Sequence, residues 1–276
     1  MAGLRIEKKH KKTLLLVKKN MNINFNNKKV LIVGGAGTIG QQITKDFASL
    51  GAKILVLDSK VLKLKKKNIK SLKFEIKKVD QLNYNLKKKL KSFGSPSIFV
   101  NCSYPKTVGW LRNSFANINS SEISKNVELH QNSYMMLSII VANIMVKQKI
   151  NGSIINLSSI YGLRAQNLSV YKNTKLNENA IYVTMKHGIN GLTKSMASYY
   201  GKYNIRVNSL CPGGVFNKVT KNSKNQRFFK NYFKRVAIKR MCSSKDVSNA
   251  ALFLSSDYSN YITGINLPID GGYTSM

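Results

Sequence analysis

Short apolar runs alternate with longer amphipathic stretches along most of this 276-residue chain. The apolar runs predict strands at 30–33, 53–57, 73–76, 97–101, 153–157, 205–210 and 264–267. The stretches between them have helical spacing near 40–50, 82–92, 120–148, 179–201 and 245–255. Strands that alternate with helices lie parallel and are joined by right-handed crossovers. The pattern therefore predicts an α/β fold with a doubly wound parallel sheet of about seven strands.

One core accounts for residues 28–276, since the sequence contains no internal repeat and no second core pattern. Three long irregular segments interrupt it, at 104–119, 160–178 and 213–240. Loops after the carboxyl ends of parallel strands form the ligand crevice in such folds, so we expect these segments to line the substrate site. Residues 1–27 form a basic extension. Met21 directly precedes the natural start of the domain, so we expect residues 1–20 to be a misassigned start or a disordered arm.

Lysine dominates the charge of the chain. The 46 Lys and Arg residues against 11 Asp and Glu give a formal net charge of +35. The lysines are scattered along the whole chain, which is typical of a bias toward A/T-rich codons. No helix-turn-helix, finger or aromatic RNA-binding pattern accompanies them. We therefore expect incidental adhesion to polyanions at low salt and no specific nucleic-acid partner.

Three isolated cysteines, Cys102, Cys211 and Cys242, have no paired spacing. Such thiols fit a reducing compartment, so we expect a cytoplasmic protein without a disulfide framework and without a metal site. The longest apolar stretch, 134–146, is too short to span a bilayer. It predicts a buried or interface helix, and we expect no membrane partner.

A strand, a glycine turn and a helix follow one another near residue 34. The glycines Gly34, Gly37 and Gly40 have the spacing G-x-x-G-x-x-G and enclose Thr38 and Ile39. Glycines in this position permit a tight turn and let a pyrophosphate approach the backbone N–H groups at the helix start. A purely structural turn is the alternative. The preceding strand, the following helix and an acid further on favour a dinucleotide site.

That acid is Asp58, at the end of the second apolar run. An acid about 20 residues beyond the glycines accepts hydrogen bonds from the adenosine ribose and repels a 2′-phosphate, so the sequence favours NAD over NADP. The positive charge of Lys60 could offset the negative charge of Asp58 and so allow NADP to bind. Asp80, after the third predicted strand, is a candidate adenine contact, and capping of a loop is the alternative role.

A phenol, an ammonium and a hydroxyl suggest proton-transfer chemistry. Tyr182 and Lys186 are one helical turn apart, and the fifth predicted strand ends in Ser158-Ser159. We expect the Lys charge to lower the Tyr pKa, so that the phenol exchanges a proton with a substrate oxygen held by the Ser hydroxyl. The pair Tyr171 and Lys175 has the same spacing, so spacing alone does not decide between them.

In combination, these motifs resemble the short-chain dehydrogenase/reductase family over about residues 28–276. The glycine turn, Asn101, Ser159, a Tyr-x-x-x-Lys, the run 205–208 before Pro212-Gly213, and the segment 262–272 follow that family's order. The resemblance implies a Rossmann-like fold and an NAD(P)-dependent oxidoreductase acting on CH–OH groups. It also implies that Asn101 binds the cofactor, and that the backbone at Pro212, Gly213 and Val215 contacts the carboxamide of the nicotinamide. Members usually form dimers or tetramers, so we expect a homodimer or homotetramer.

The same resemblance selects between the two Tyr–Lys pairs. Lys186 is followed by a segment, 187–195, that ends in Gly-Leu-Thr-Lys-Ser as in the family, whereas Lys175 is followed by a sequence typical of a loop and helix cap. Tyr182 and Lys186 are therefore predicted to be catalytic. Alignment to the strand end favours Ser159 over Ser158. Tyr171 falls in an insertion and is expected to line the substrate pocket.

Two departures from the family pattern lie close to this site. His130 occupies the position where many members have an Asn that supports a proton-relay water. The histidine could hold that water or transfer protons itself, and a merely packed ring is the alternative. The family's Asn-Asn-Ala-Gly loop is replaced by the segment 101–105, Asn-Cys-Ser-Tyr-Pro. Both changes resemble a subgroup linked to bacterial surface-sugar and flagellin-glycan biosynthesis.

The leading functional hypothesis is hydride transfer between the cofactor and a secondary alcohol or ketone on a sugar. Four cations in the long loops, Arg112, Arg164, Lys218 and Lys221, favour an anionic substrate such as a phosphorylated sugar, although they also fit the general lysine excess. A 3-oxoacyl-carrier-protein reductase is a second enzyme hypothesis, and Asp58 argues against it because those enzymes commonly use NADPH. A catalytically silent scaffold that binds nucleotides or polyanions is the alternative from another class.

Overall fold

A computed structural model describes residues 23–64, 66–110, 113–174, 176–216 and 226–276 of the chain. Seven parallel strands form one sheet in the order β3-β2-β1-β4-β5-β6-β7. They are β1 Lys29–Val33, β2 Lys53–Asp58, β3 Ile69–Lys73, β4 Ile98–Asn101, β5 Gly152–Leu157, β6 Ile205–Pro212 and β7 Asn266–Ile269. The predicted doubly wound, Rossmann-like sheet is confirmed. The expectations for residues 1–20 lie outside the described residues, and the domain limit at residue 28 stays a prediction.

Helices cover both faces of the sheet. They are α1 Thr38–Ser49, α2 Leu82–Leu90, α3 Ser120–Asn126, α4 Ser133–Lys147, α5 Ala180–Tyr200, α6 Gln226–Phe233 and α7 Ser244–Ser255. Side-chain caps fix where some of them begin. The side chain of Asn179 accepts from the N–H of Tyr182 at 2.9 Å at the start of α5. Ser243 accepts from the N–H of Asp246 at 3.1 Å at the start of α7.

Two apolar cores lie on the two faces of the sheet, because successive strand residues point to opposite sides. Val30 and Ile32 of β1 belong to the core formed with α1 and α7. Leu31 and Val33 belong to the core formed with α2, α4 and α5. The apolar run 134–146 lies within α4, which is buried along one face, and its predicted role at an interface stays a prediction. Among the described residues, no helix is long and apolar enough to cross a membrane.

The third strand differs from the prediction. We predicted it at 73–76, whereas β3 spans Ile69–Lys73 and pairs Leu72 with Leu57. This is an edge strand with one neighbour, and none of its residues is fully buried, so its apolar pattern is weak. Phe74, just beyond it, is buried and gave the misleading signal.

Two helical features also differ from the sequence pattern. The stretch 120–148, predicted as one helix, is divided by a π-helix at Val127–Asn132 that separates α3 from α4. The segment 213–240, predicted to be irregular, contains α6. A π-helix keeps the apolar spacing of a helix, so the sequence pattern does not reveal the break at Val127–Asn132. All three cysteines are buried free thiols, as their isolated spacing predicted.

Candidate active site

Most of the predicted site residues line one cavity of about 430 Å³ at the carboxyl edge of the sheet. They are Gly34, Gly37, Thr38, Ile39, Gly40, Ser159, Tyr182, Lys186, Pro212, Gly213 and Val215. An adjoining cavity of about 510 Å³ shares Gly34 and Gly37 with it and extends to Asp58. A larger concavity, of about 740 Å³, lies at the opposite edge of the sheet, where Gly152 and Ile205 begin their strands. It holds none of the predicted site residues.

The glycine turn leaves the start of α1 open toward the cavity. Gly34 has φ +80°, and a Cβ there would lie 2.6 Å from the backbone of Cys102, so only glycine fits. Gly37 caps α1 without a side-chain hydrogen bond, and the first turn carries no acid. The N–H groups of this first turn have no partner within the helix. The residues present therefore fit a pyrophosphate, because an anion can accept these hydrogen bonds at the positive end of the helix dipole.

Asp58 ends β2 beside the glycine turn. Its Oδ2 accepts from the N–H of Ala36 at 2.9 Å, and its Oδ1 accepts from the N–H of Lys60 at 3.1 Å. Oδ1 also accepts from the hydroxyl of Ser59 at 3.3 Å, so Oδ2 is the oxygen that retains a further lone pair for a ribose hydroxyl. Lys60 and Lys77 line the same cavity. Asp80 is exposed in the short 3₁₀ helix Val79–Gln81, outside the described lining of both cavities, and its adenine contact stays a prediction.

Asn101 holds the loop that follows β4. Its Oδ1 accepts from the hydroxyl of Ser103 at 2.7 Å, and its Nδ2 donates to the carbonyl of Tyr134 at 3.5 Å. The side chain is fully buried and is not among the described residues that line the two cavities. Its direct contact with a cofactor therefore stays a prediction, and its observed role is to fix the loop that carries Cys102 and Tyr104 into the crevice.

Ser159, Tyr182 and Lys186 are brought together at the carboxyl end of β5. The Ser159 hydroxyl accepts from the N–H of Tyr161 at 3.1 Å, so its own proton can be donated to the Tyr182 oxygen or to a substrate oxygen. Tyr182 lies in the first turn of α5. Lys186, one turn later, donates its Nζ to the carbonyl of Leu157 at 2.9 Å and lies 5.7 Å from the centre of the Tyr182 ring.

Burial dominates the protonation of this group, contrary to the expected effect of the Lys charge on Tyr182. It raises the pKa of Tyr182 to about 12, and a hydrogen bond from Ser159 lowers that pKa only in part. Burial also lowers the pKa of Lys186 to about 8. At neutral pH the site therefore holds a protonated phenol and a charged ammonium, which makes Tyr182 a proton donor.

His130 lies in the π-helix and is fully buried. Its ring is 5.6 Å from the ring of Tyr104, 6.1 Å from that of Tyr134 and 6.3 Å from that of Trp110. Neither ring nitrogen has a hydrogen-bond partner among the described residues. Burial, with a contribution from the charge of Lys186, lowers the pKa of His130 well below its usual value, so the ring is neutral at pH 7.

One side of the 430 Å³ cavity has an aromatic wall. Tyr161, Tyr171, Phe228 and Tyr232 line it, and the rings of Tyr171 and Phe228 are 5.9 Å apart. Tyr171 therefore lies in the cavity, as expected. The other three were missed, although the i, i+4 spacing of Phe228 and Tyr232 is a helical signal. The hydroxyl of Tyr232 also accepts from the N–H of Gly214 at 2.6 Å, which fixes the loop after β6.

Of the four cations expected to attract an anionic substrate, Arg164 is the one that the structure describes, and it does not line the 430 Å³ cavity. Arg164 donates to the carbonyls of Tyr273 at 3.1 Å and Met276 at 3.4 Å, and so holds the C-terminus. Arg112, Lys218 and Lys221 lie outside the described residues. Lys186 is the sole charged side chain among the described residues lining the 430 Å³ cavity.

Comparisons with known proteins agree with this geometry. A family model described as enoyl-(acyl carrier protein) reductase matches residues 34–274. Post-translational flagellin modification protein A of Campylobacter coli is 30% identical over 259 residues, covering 90% of this chain and 99% of that protein. The 3-oxoacyl-[acyl-carrier-protein] reductase FabG of Chlamydia muridarum is 30% identical over 267 residues, covering 91% and 99%. A solved short chain dehydrogenase from Leptospira borgpetersenii with bound NAD+ is similar with a TM-score of 0.81 and 28% identity, covering 92% and 96%.

Proposed function

This chain belongs to the short-chain dehydrogenase/reductase family of NAD(P)-dependent oxidoreductases, and on that premise we propose that it interconverts a secondary alcohol and a ketone on a sugar or phosphorylated sugar of surface-glycan biosynthesis. The observation that carries the proposal is the convergence of Ser159, Tyr182 and Lys186 in one cavity beside the open glycine turn. An intact set of this kind argues against a catalytically silent scaffold.

The side chains act on the oxygen of the substrate. Ser159 donates a hydrogen bond to that oxygen as charge develops on it. Tyr182 gives its phenolic proton to the oxygen during reduction and removes it during oxidation. Lys186, anchored on Leu157, keeps two further N–H groups for the ribose of the cofactor. The nicotinamide cofactor, when bound, supplies or accepts the hydride.

Asp58 supports NAD as the preferred cofactor. Its carboxylate stands at the end of β2 and lines the cavity that adjoins the glycine turn. A 2′-phosphate in that cavity would meet this negative charge, whereas ribose hydroxyls can donate to it. Lys60 and Lys77 reduce the repulsion, so NADP binds more weakly rather than not at all.

A sugar substrate is supported by the aromatic wall and by one relative. Tyrosine rings offer flat apolar faces for the carbon skeleton of a ring, together with hydroxyls that can bond its polar edge. The flagellin modification protein is 30% identical along nearly its whole length. The assignment to surface-glycan biosynthesis rests on that likeness and on the aromatic wall.

A 3-oxoacyl-carrier-protein reductase is the second candidate. The likeness to the chlamydial enzyme favours it, and a net charge of +35 suits an acidic carrier protein. Cofactor choice separates the two candidates, because we expect NAD preference for the sugar enzyme and NADP preference for the acyl reductase.

The test is a panel of sugar phosphates and nucleotide sugars incubated with NAD and the full-length enzyme, with reduced cofactor as the readout. Tyr182→Phe is the control for chemistry at this site. We expect turnover with at least one sugar and its loss in the variant. Turnover with 3-oxoacyl-carrier substrates and NADPH alone would replace the sugar assignment. Failure to bind either cofactor in a fluorescence titration would refute the enzyme itself.

A further inference from the structure

A second concavity, of about 420 Å³, is lined by four cations and lies beside the aromatic wall. Lys172 comes from the loop before α5, and Arg227, Lys234 and Arg235 come from α6 and the turn after it. We call this feature the basic pocket. No acid is among its described lining residues, and no ion pair between described residues involves these four cations. Their charges are therefore uncompensated.

The general excess of lysine does not account for the basic pocket. Of the 46 Lys and Arg residues, only seven are arginine, and two of the seven line this pocket. The described arginines elsewhere have intramolecular partners: Arg164 and Arg206 donate to backbone carbonyls, and Arg240 pairs with Asp246 at 2.6 Å. Arginine differs from lysine in its planar fork, which matches the oxygens of phosphate and carboxylate groups.

One helix separates the basic pocket from the active-site cavity. Phe228 and Tyr232 of α6 line the active-site cavity, whereas Arg227 and Asn231 line the basic pocket. Residues one apart on a helix point about 100° away from each other, so α6 presents its aromatic face to one site and its polar face to the other. The two concavities therefore share a wall that is one helix thick.

The loop that carries Tyr171 completes this shared wall. The Nδ2 of Asn231 donates to the carbonyl of Lys172 at 3.0 Å and to that of Val170 at 3.3 Å. Arg235 donates to the hydroxyl of Ser169 at 3.3 Å. These bonds tie α6 to the loop, and an anion bound by Lys172 and Arg227 would join the same two elements again.

We propose that the basic pocket binds a phosphoryl group, and that the anion bound there holds together the loop and α6, which form the aromatic wall of the active site. This proposal goes beyond the proposed function, because the bound group does not enter the active-site cavity. A phosphoryl group suits four cations better than a carboxylate does, because it carries up to two negative charges and three acceptor oxygens. Binding of this group orders the loop and α6, and with them the aromatic wall that both elements form.

The test uses inorganic phosphate as the probe and hydrogen exchange of the full-length protein as the readout. Phosphate should slow amide exchange in residues 168–174 and 226–236. In the double variant Arg227→Gln/Arg235→Gln, the phosphate concentration that gives half-maximal protection should rise about tenfold for each arginine removed. The matched control is Lys87→Gln/Lys88→Gln on α2, which removes the same charge from an exposed surface and should respond like the wild type.

Each outcome supports or overturns the proposal. Protection of both segments that is lost only in the arginine variant supports it. Absent protection, or equal protection in both double variants, overturns it and leaves only non-specific attraction to a basic protein. Equal protection by acetate overturns the phosphoryl assignment in favour of a carboxylate. A separate titration with NADH tests the proposed function, so failure of one proposal is not mistaken for failure of the other.

Discussion

Replacement of Asp58 by Asn should shift cofactor preference from NAD toward NADP. The amide keeps an oxygen that accepts from the N–H of Ala36, which the carboxylate contacts at 2.9 Å, so the glycine turn is preserved. The substitution removes the negative charge from a cavity that Lys60 and Lys77 also line. These two cations then attract a 2′-phosphate without opposition.

The size of the shift follows from two contributions. A hydrogen bond to a charged group contributes about 1.5–3 kcal/mol, and the Asn oxygen recovers part of it, so NADH binding should weaken about tenfold. Two unit charges about 5 Å apart in water repel by roughly 0.8 kcal/mol, and a phosphate carries more than one charge, so NADPH binding should strengthen about tenfold. The ratio of the two dissociation constants should change by about two orders of magnitude.

Fluorescence titration with NADH and NADPH measures both constants directly. Asp257→Asn is the matched control, because it removes the same charge from an exposed residue at the opposite edge of the sheet and should change either constant less than about twofold. A folded Asp58→Asn protein whose preference stays within about threefold of the wild type would refute the placement of Asp58 at the ribose.

Three further outcomes test the catalytic group. Tyr182→Phe should lower kcat by at least about a hundredfold with unchanged NADH binding, whereas Tyr171→Phe should keep most turnover; the reverse result would exchange their roles. The rate of alcohol oxidation should rise with pH above neutrality, because burial raises the pKa of Tyr182 and oxidation needs its phenolate; a flat profile contradicts this. His130→Phe should raise the thermal midpoint of unfolding, because it removes two unpaired buried nitrogens. It should lower kcat if the ring relays protons, whereas an unchanged kcat identifies a packed ring.

The sequence sufficed for features that depend on local pattern. Buried parallel strands read as apolar runs, as in β1, β2 and β4, and these strands together with β5 and β6 were located to within two residues at each end. The glycine turn and the Tyr182–Lys186 pair depend on spacing along a single strand or helix, and spacing is visible in a sequence. Selection of this pair over Tyr171–Lys175 needed the family resemblance, because both have helical spacing.

Features that depend on contacts between distant segments were not predictable. The aromatic residues of α6 have helical spacing at 228, 229, 232 and 233, yet the polar residues between them masked the pattern. The protonation of Tyr182 was predicted in the wrong direction because the sequence shows a nearby lysine but not the burial of both groups. The role of Arg164 depended on its contact with the C-terminus, more than 100 residues away in the chain.

Burial therefore determines how the rates of reduction and oxidation depend on pH. Tyr182, with a pKa of about 12, holds its proton throughout the neutral range and is ready to give it to an oxygen that becomes negative. Lys186, with a pKa of about 8, is charged only below that pH. Proton donor and stabilising cation thus coexist below about pH 8, and the neutral ring of His130 adds no competing charge. Carbonyl reduction needs both groups in these forms, so its rate should fall as pH rises through 8, opposite to the rate of oxidation.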